Sequence, residues 1–384
     1  MRYSQTYRPL SKMLYSPVSR MNDPAVSDIH ISWCRFDSAF SLVLGPSPED
    51  SHAIFDDNRE NQFSNSHFIY PVISAGKRID PDSAIVLLHG LNERSWDKYL
   101  PWAATLSRQT GASVILFPIA YHMNRSPVSW RTPRQMKEYV SQRLVANSTT
   151  KQLSVANVAL SERLSLHPER FFLSGYQAAT DVIQLCQTLK AGIHPLFGKH
   201  VKINFFAYSI GVLLSQVLLF ADPRGLFAES KFFFFCGGST FEGMQGISKF
   251  ILDDLAFRRI IDYYIHVEKE PTAQSGIFYD LFTESSLGKA FQLLISKTAK
   301  ADERKTRFSN LSEQIRSVCL TKDSVVPCNE IKSTMQGTQI EELDFTYPYL
   351  HENPFPVFND ERGKLVDEAF KHVMSKASVF LGKI

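Results

Sequence analysis

Polar residues with chemical potential stand at the ends of apolar, strand-like runs. His89-Gly90 closes Ala84-Ile-Val-Leu-Leu, and Ser209 closes the run that begins Val201-Lys-Ile-Asn-Phe-Phe-Ala. Asp323 follows Ile315-Arg-Ser-Val-Cys-Leu, and His351 follows the run from Ile340 to Phe345. In open α/β sheets ligands bind beyond the carboxyl ends of the strands, so these four positions are read first. Ser209 sits in Ala207-Tyr-Ser-Ile-Gly211, between a buried-strand pattern and an apolar helix pattern. A sharp strand-to-helix turn at such a place lifts the hydroxyl above the sheet, and small flanking residues avoid collision. A serine hydroxyl is a weak nucleophile at neutral pH; it needs a general base, and the base needs an orienting carboxylate. The other reading of this serine is an ordinary helix N-cap.

With these residues in this context, the chain resembles the α/β-hydrolase fold family from about Ala84 to its C-terminus. The pentapeptide departs from G-x-S-x-G in that Ala207 replaces the first glycine, and Ala is still small. The resemblance implies the chain order nucleophile, acid, base, which falls on Ser209, Asp323 and His351, with Asp344 as the reserve acid. It also implies an oxyanion hole of two backbone N–H groups: that of Ile210, after the nucleophile, and that of Leu91, in the loop after His89-Gly90. His89 itself is expected to hold that loop by hydrogen bonds. Asn92, Arg94, Tyr121 and Arg125, beyond the ends of the first two parallel strands, are expected to shape the pocket. Either arginine fits an acidic substrate group, or equally a structural ion pair. The implied activity is hydrolysis of a carboxylic ester or related acyl substrate, with no cofactor. Two alternatives stay open: a noncatalytic binding protein of this fold, and an acyltransferase using the same triad.

The elements that must position these residues follow from hydrophobic patterning. From Ser83 onward, short continuous apolar runs recur with helical stretches between them, the texture of a mainly parallel, doubly wound sheet buried on both faces. Helices are expected over Trp96–Thr110, Ala178–Lys190 and Ile210–Ala221, the last apolar nearly all round and therefore buried. The fold class expected is α/β, α/β-hydrolase-like, with residues 1–82 an N-terminal extension and 83–384 the core. In the extension, Ile29–Phe36 and Phe68–Ile73 read as short antiparallel strands. Two intervals, about 130–168 and 250–310, exceed a simple crossover and read as helical insertions of the kind that form lids; the second is rich in aromatics.

Composition removes other classes. Forty-two Lys and Arg against 39 Asp and Glu leave a net charge of +3, with no basic stripe, so no nucleic-acid partner is expected. No apolar run reaches the roughly 18–20 residues of a membrane span. The five cysteines are scattered with no C-x-x-C pair, and no H-E-x-x-H or H-x-H spacing occurs, which argues against a disulfide framework and a metal site. Gly237-Gly-Ser-Thr240 lacks the lysine and spacing of a phosphate-binding loop. No secretory signal pattern is seen, so a cytoplasmic location is expected, with a small acyl substrate as the partner and the oligomeric state open.

Overall fold

The computed structural model describes residues 2–15, 23–40, 59–76, 80–270 and 276–382. The strands are β1 (Ile29–Asp37), β2 (His67–Ala75), β3 (Ser83–Leu88), β4 (Ser113–Leu116), β5 (Lys202–Tyr208), β6 (Phe232–Phe235), β7 (Ile315–Leu320) and β8 (Gln339–Leu343). They form one sheet in the order β1-β2-β4-β3-β5-β6-β7-β8. β1 pairs antiparallel with β2, and β2 antiparallel with β4; every pairing from β4 to β8 is parallel. This is the α/β-hydrolase-like architecture expected, and the first two strands extend its edge.

The helices, in chain order, are α1 (Tyr3–Tyr15), α2 (Arg59–Ser66), α3 (Tyr99–Thr110), α4 (Pro133–Ala146), α5 (Val158–Leu166), α6 (Glu169–Lys190) and α7 (Ile210–Ala221). They continue as α8 (Asp254–Lys269), α9 (Ile277–Thr283), α10 (Ser286–Gln292), α11 (Ala301–Asn310), α12 (Cys328–Thr334) and α13 (Arg362–Leu381).

Alternation along the buried strands splits the core into two layers. On β5, Phe205 and Ala207 face one layer with α6, α7 and the insertion helices, whereas Phe206 and Tyr208 face the other with α1, α3 and α13. α7 is buried from Gly211 to Phe220, as its all-round apolar pattern requires. α1 went unseen in the sequence: Tyr3, Thr6, Leu10 and Leu14 make its buried stripe despite the internal Pro9. It docks on α13, where the Ser4 N–H and hydroxyl both donate to Asp367, at 2.9 and 2.8 Å, and the Tyr3 and Phe370 rings lie 5.0 Å apart.

The two long intervals hold α4 and α5, and α8 to α11, with residues 271–275 outside the described residues. Arg143 of α4 joins them: its Nε donates to Asp253 at 2.6 Å, and it pairs with Glu162 of α5. Phe278, Phe282 and Phe291 pack against Phe172 of α6. The scatter of cysteines hid one pairing. Cys319, in β7, and Cys328, which opens α12, form a disulfide nine residues apart, while Cys34, Cys186 and Cys236 are buried free thiols.

Candidate active site

β5 and α7 meet at Ser209 with no loop between them, which forces φ to +57° and ψ to −120° at a non-glycine residue. Such a conformation costs on the order of 1–3 kcal/mol and persists only where packing over-determines it. Gly211 and Gly237 provide that packing. A Cβ on Gly211 would lie 2.7 Å from the Leu88 carbonyl oxygen and 2.9 Å from that of His89; one on Gly237 would lie 2.7 Å from the Ser209 carbonyl oxygen. The alanine at 207 is fully buried within the sheet, so its methyl group is accommodated.

The turn after β8 brings His351 to the serine. Ser209 Oγ lies 2.7 Å from His351 Nε2, and His351 Nδ1 lies 2.7 Å from Asp323 Oδ2. The other oxygen of Asp323 accepts the backbone N–H groups of Val325 and Val326, both at 2.9 Å. An ionised carboxylate only accepts, so the proton of the lower bond sits on Nδ1, and Nε2 is left with a lone pair facing the serine hydroxyl. All three side chains are buried. The reserve acid Asp344 is instead half-exposed and paired with Lys322 at 2.8 Å, away from this chain of bonds.

Tyr208 is a supporting residue the sequence reading missed. Its hydroxyl donates to the His351 carbonyl oxygen, and its ring stacks on the imidazole, 19° from parallel at 5.6 Å. Burial, then the nearby Cys236 thiol, raises the Tyr208 pKa and keeps the hydroxyl a neutral donor. Its signal was available, because it immediately precedes Ser209 and alternation turns it to the opposite face. Cys236 bonds Asp323, and burial followed by that charge raises its thiol pKa.

His89 Nε2 accepts the Ile119 N–H at 2.9 Å, so Nδ1 carries the proton and donates to the Gly90 carbonyl at 2.8 Å. Burial, then neighbouring His122, lowers its pKa well below the ordinary range. This neutral histidine ties the loop after β3 to the loop after β4. Leu91 follows it. Ile210 is the first residue of α7, where backbone N–H groups have no intrahelical acceptor, and among the described residues neither it nor Leu91 donates elsewhere.

Three cavities meet at Leu91. The first, a small cavity of about 30 Å³ beside Ser209, is walled by Phe171, Ile210, Phe241, Met244, Phe257, Val325 and Val326. The second, about 80 Å³, shares Leu91, Phe171 and Ile210 with it and runs between α6 and α7 towards Tyr121 and His122. The third, about 510 Å³, is the most polar of the three and carries Asn92, Glu93, Arg94, Lys98, Arg131 and Glu352.

The expected pocket residues therefore separate. Arg94 and Asn92 line the polar cavity; Asn92 also donates to the carbonyls of Ala156 and Phe250, at 2.9 and 2.7 Å, stitching the loop to both insertions. Tyr121 lines the apolar cavity. Arg125 is a correction: it has no exposed surface, pairs with Asp181 at 2.7 Å, donates to the carbonyls of Asn65 and Pro118, and packs on the Phe68 ring. Its donors are spent inside the protein, so it is a buried strut. Among the described residues no cluster of His, Cys, Asp or Glu is placed to hold a metal ion, and no helix is long and apolar enough to cross a membrane.

Comparison with known proteins gives a family and a set of structural likenesses. No curated protein matches the sequence. Carboxyl esterase 2 from the mycorrhizal fungus Tuber melanosporum is 10% identical, with a TM-score of 0.45 over 97% of this chain and 96% of that one. A Pyrobaculum calidifontis esterase is 13% identical, with a TM-score of 0.40 over 98% and 91%. A hydrolase from Pseudomonas aeruginosa is 12% identical, with a TM-score of 0.39 over 82% and 95%. A family model matches residues 1–382, and the chain belongs to that family, described as a family of unknown function (DUF6051).

Proposed function

We propose that this member of DUF6051 is a serine hydrolase that cleaves a carboxylic ester or related acyl substrate. The observation that carries the reading is the unbroken run of hydrogen bonds from Ser209 through His351 to Asp323, with a lone pair of His351 facing the hydroxyl. In the proposed reaction Ser209 Oγ attacks the acyl carbon as its proton passes to His351 Nε2. The N–H groups of Leu91 and Ile210 receive the negative charge that develops on the carbonyl oxygen. His351 then gives its proton to the departing alcohol, and a water molecule, activated by the same nitrogen, releases the acid from Ser209. Asp323 keeps the imidazole in the required tautomer and stabilises its positive charge. The apolar cavity beside Leu91 and Ile210 supports an apolar acyl chain, because both line it next to the reacting carbon. A noncatalytic role is disfavoured by the same bonds: binding alone gives no reason to hold a strained serine against a correctly protonated histidine.

The test is intact-mass labelling with a fluorophosphonate probe. The expected result is a single adduct on the native protein, absent from Ser209→Ala and strongly slowed in His351→Ala. A native protein that stays unlabelled while hydrolysing no short-chain aryl ester overturns the proposal.

A further inference from the structure

The polar cavity behind Leu91 holds a charge imbalance that the proposed chemistry does not use. Its charged walls are Arg94, Lys98 and Arg131, against Glu93 and Glu352. Both carboxylates are engaged: Glu93 by Lys98 and by the Tyr99 hydroxyl at 3.1 Å, and Glu352 by the Ser248 hydroxyl. Lys98 is spent on Glu93 and on the Glu352 carbonyl, at 2.7 Å. Among the described residues, the two arginines are left without a carboxylate. Arg94 Nη2 donates to Asn92 Oδ1 at 2.9 Å, and its plane lies 5.3 Å from the Trp130 ring centre, but Nη1 is shielded from solvent and has no acceptor. Among the described residues, Arg131 donates to the Met123 carbonyl and the Ser126 hydroxyl, both uncharged. Arg94 carries the cost, because its buried Nη1 lacks an acceptor; Arg131 is exposed and adds a second, solvated guanidinium to the same wall, so an anion bound there would relieve the first and pair with the second.

Position says which part of a substrate that anion belongs to. Glu352, in this wall, directly follows His351, the residue that delivers a proton to the departing group, and Leu91 separates the cavity from the apolar one. Resting on the serine-hydrolase reading, the geometry points to an anion subsite at Arg94 and Arg131 for the alcohol portion of the substrate, an ester joining an apolar acyl chain to an alcohol that bears a carboxylate or a phosphate. Bidentate pairing with a guanidinium suits either group.

The experiment compares kcat/KM for the hexanoyl ester of para-hydroxybenzoate with that of methyl para-hydroxybenzoate, which differ only in the free carboxylate, and adds a phosphomethyl counterpart to tell carboxylate from phosphate. The native enzyme is expected to favour an anionic ester by about tenfold or more at low salt, less at high salt. In Arg94→Gln, and separately in Arg131→Gln, that ratio is expected to fall towards one through a rise in KM. A native ratio near one with the neutral ester readily cleaved overturns the subsite and leaves the hydrolase standing. So does an equal loss on both esters in both variants, which marks the arginines as struts. If no ester is cleaved and no fluorophosphonate adduct forms, the hydrolase reading falls. Calorimetric binding of para-hydroxybenzoate and of inorganic phosphate then decides the subsite alone: binding lost in Arg94→Gln sustains it, and absence of binding to the native protein removes it.

Discussion

Replacing Asp323 by Asn tests the tautomer argument with little change of shape. The carboxylate serves two masters, accepting two backbone N–H groups on one oxygen and His351 Nδ1–H on the other. A carboxamide has one oxygen and one NH2 for the same places. If the NH2 turns to the backbone, two buried N–H groups lose their acceptor, at about 1–3 kcal/mol each. If it turns to His351, the two backbone contacts and the imidazole contact survive, but Nδ1 must now accept, so the imidazole proton moves to Nε2 and points at Ser209. The second arrangement wins by roughly 2–6 kcal/mol, which leaves the productive tautomer at about one molecule in 30 to one in 10⁴, since each 1.4 kcal/mol is a factor of ten. Asp323→Asn is therefore expected to slow fluorophosphonate labelling of Ser209 by about 30- to 10⁴-fold, while thermal unfolding shows a loss of only about 1–2 kcal/mol as charged acceptors become neutral. Pseudo-first-order labelling rates by mass spectrometry, beside melting curves, check both halves. A slowing of less than tenfold in a folded variant would refute the reasoning, because it would mean that the His351 tautomer does not govern the nucleophile.

Gly211→Ala forces a methyl group against two backbone oxygens at the elbow and is expected to cost labelling more than 100-fold (on the order of 3 kcal/mol) or folding altogether. Gly175→Ala in α6, where no atom lies within 4 Å of the added carbon, is expected to stabilise by roughly 0.5–1 kcal/mol, and paired melting curves separate the two. His122 is held down to about 4 from the ordinary 6.5, first by burial, so the unfolded chain binds its proton more tightly. Its stabilising contribution, roughly 3 kcal/mol, is present above pH 6.5 and is lost as pH falls through 4; the melting temperature of His122→Gln, followed over that window, should show a shallower acid slope than the native protein. Closing a nine-residue loop, the Cys319–Cys328 disulfide should contribute roughly 2–3 kcal/mol, seen as a lower melting temperature in a phosphine reductant; thiol titration of the denatured, unreduced protein should find three thiols, and five would refute the bond.

The sheet was legible because each parallel strand is a local apolar run closed by a polar or glycine residue, and the strand-end rule led directly to Ser209, Asp323 and His351. Choosing Asp323 over Asp344 came from its place after the strand-like run before the last, where the family's acid falls, whereas the structure separates the two by what faces them: two backbone N–H groups and an imidazole, against an exposed lysine. Features that depend on distant partners stayed hidden. Arg125 looked like a pocket arginine until Asp181, 56 residues on, took its charge. The first half of α6 was missed because Phe171, Phe172 and Gly175 blur its helical period. α1 escaped because a polar, proline-bearing segment shows its stripe only when α13 is there to cover it.

That last contact bears on how the protein comes to be made. Ser4 and Asp367 are 363 positions apart, so at the usual 5–20 residues per second a ribosome needs roughly 20–70 s to travel from one to the other. Through that time the nascent chain has α3, whose approach carries the Ser11–Asp97 bond, but no α13 to complete the cover of Tyr3, while β3 to β6 are already available to pair. The order of synthesis thus lets α1 settle on α3 early, and leaves the seam between α1 and α13 as the contact that closes this layer last.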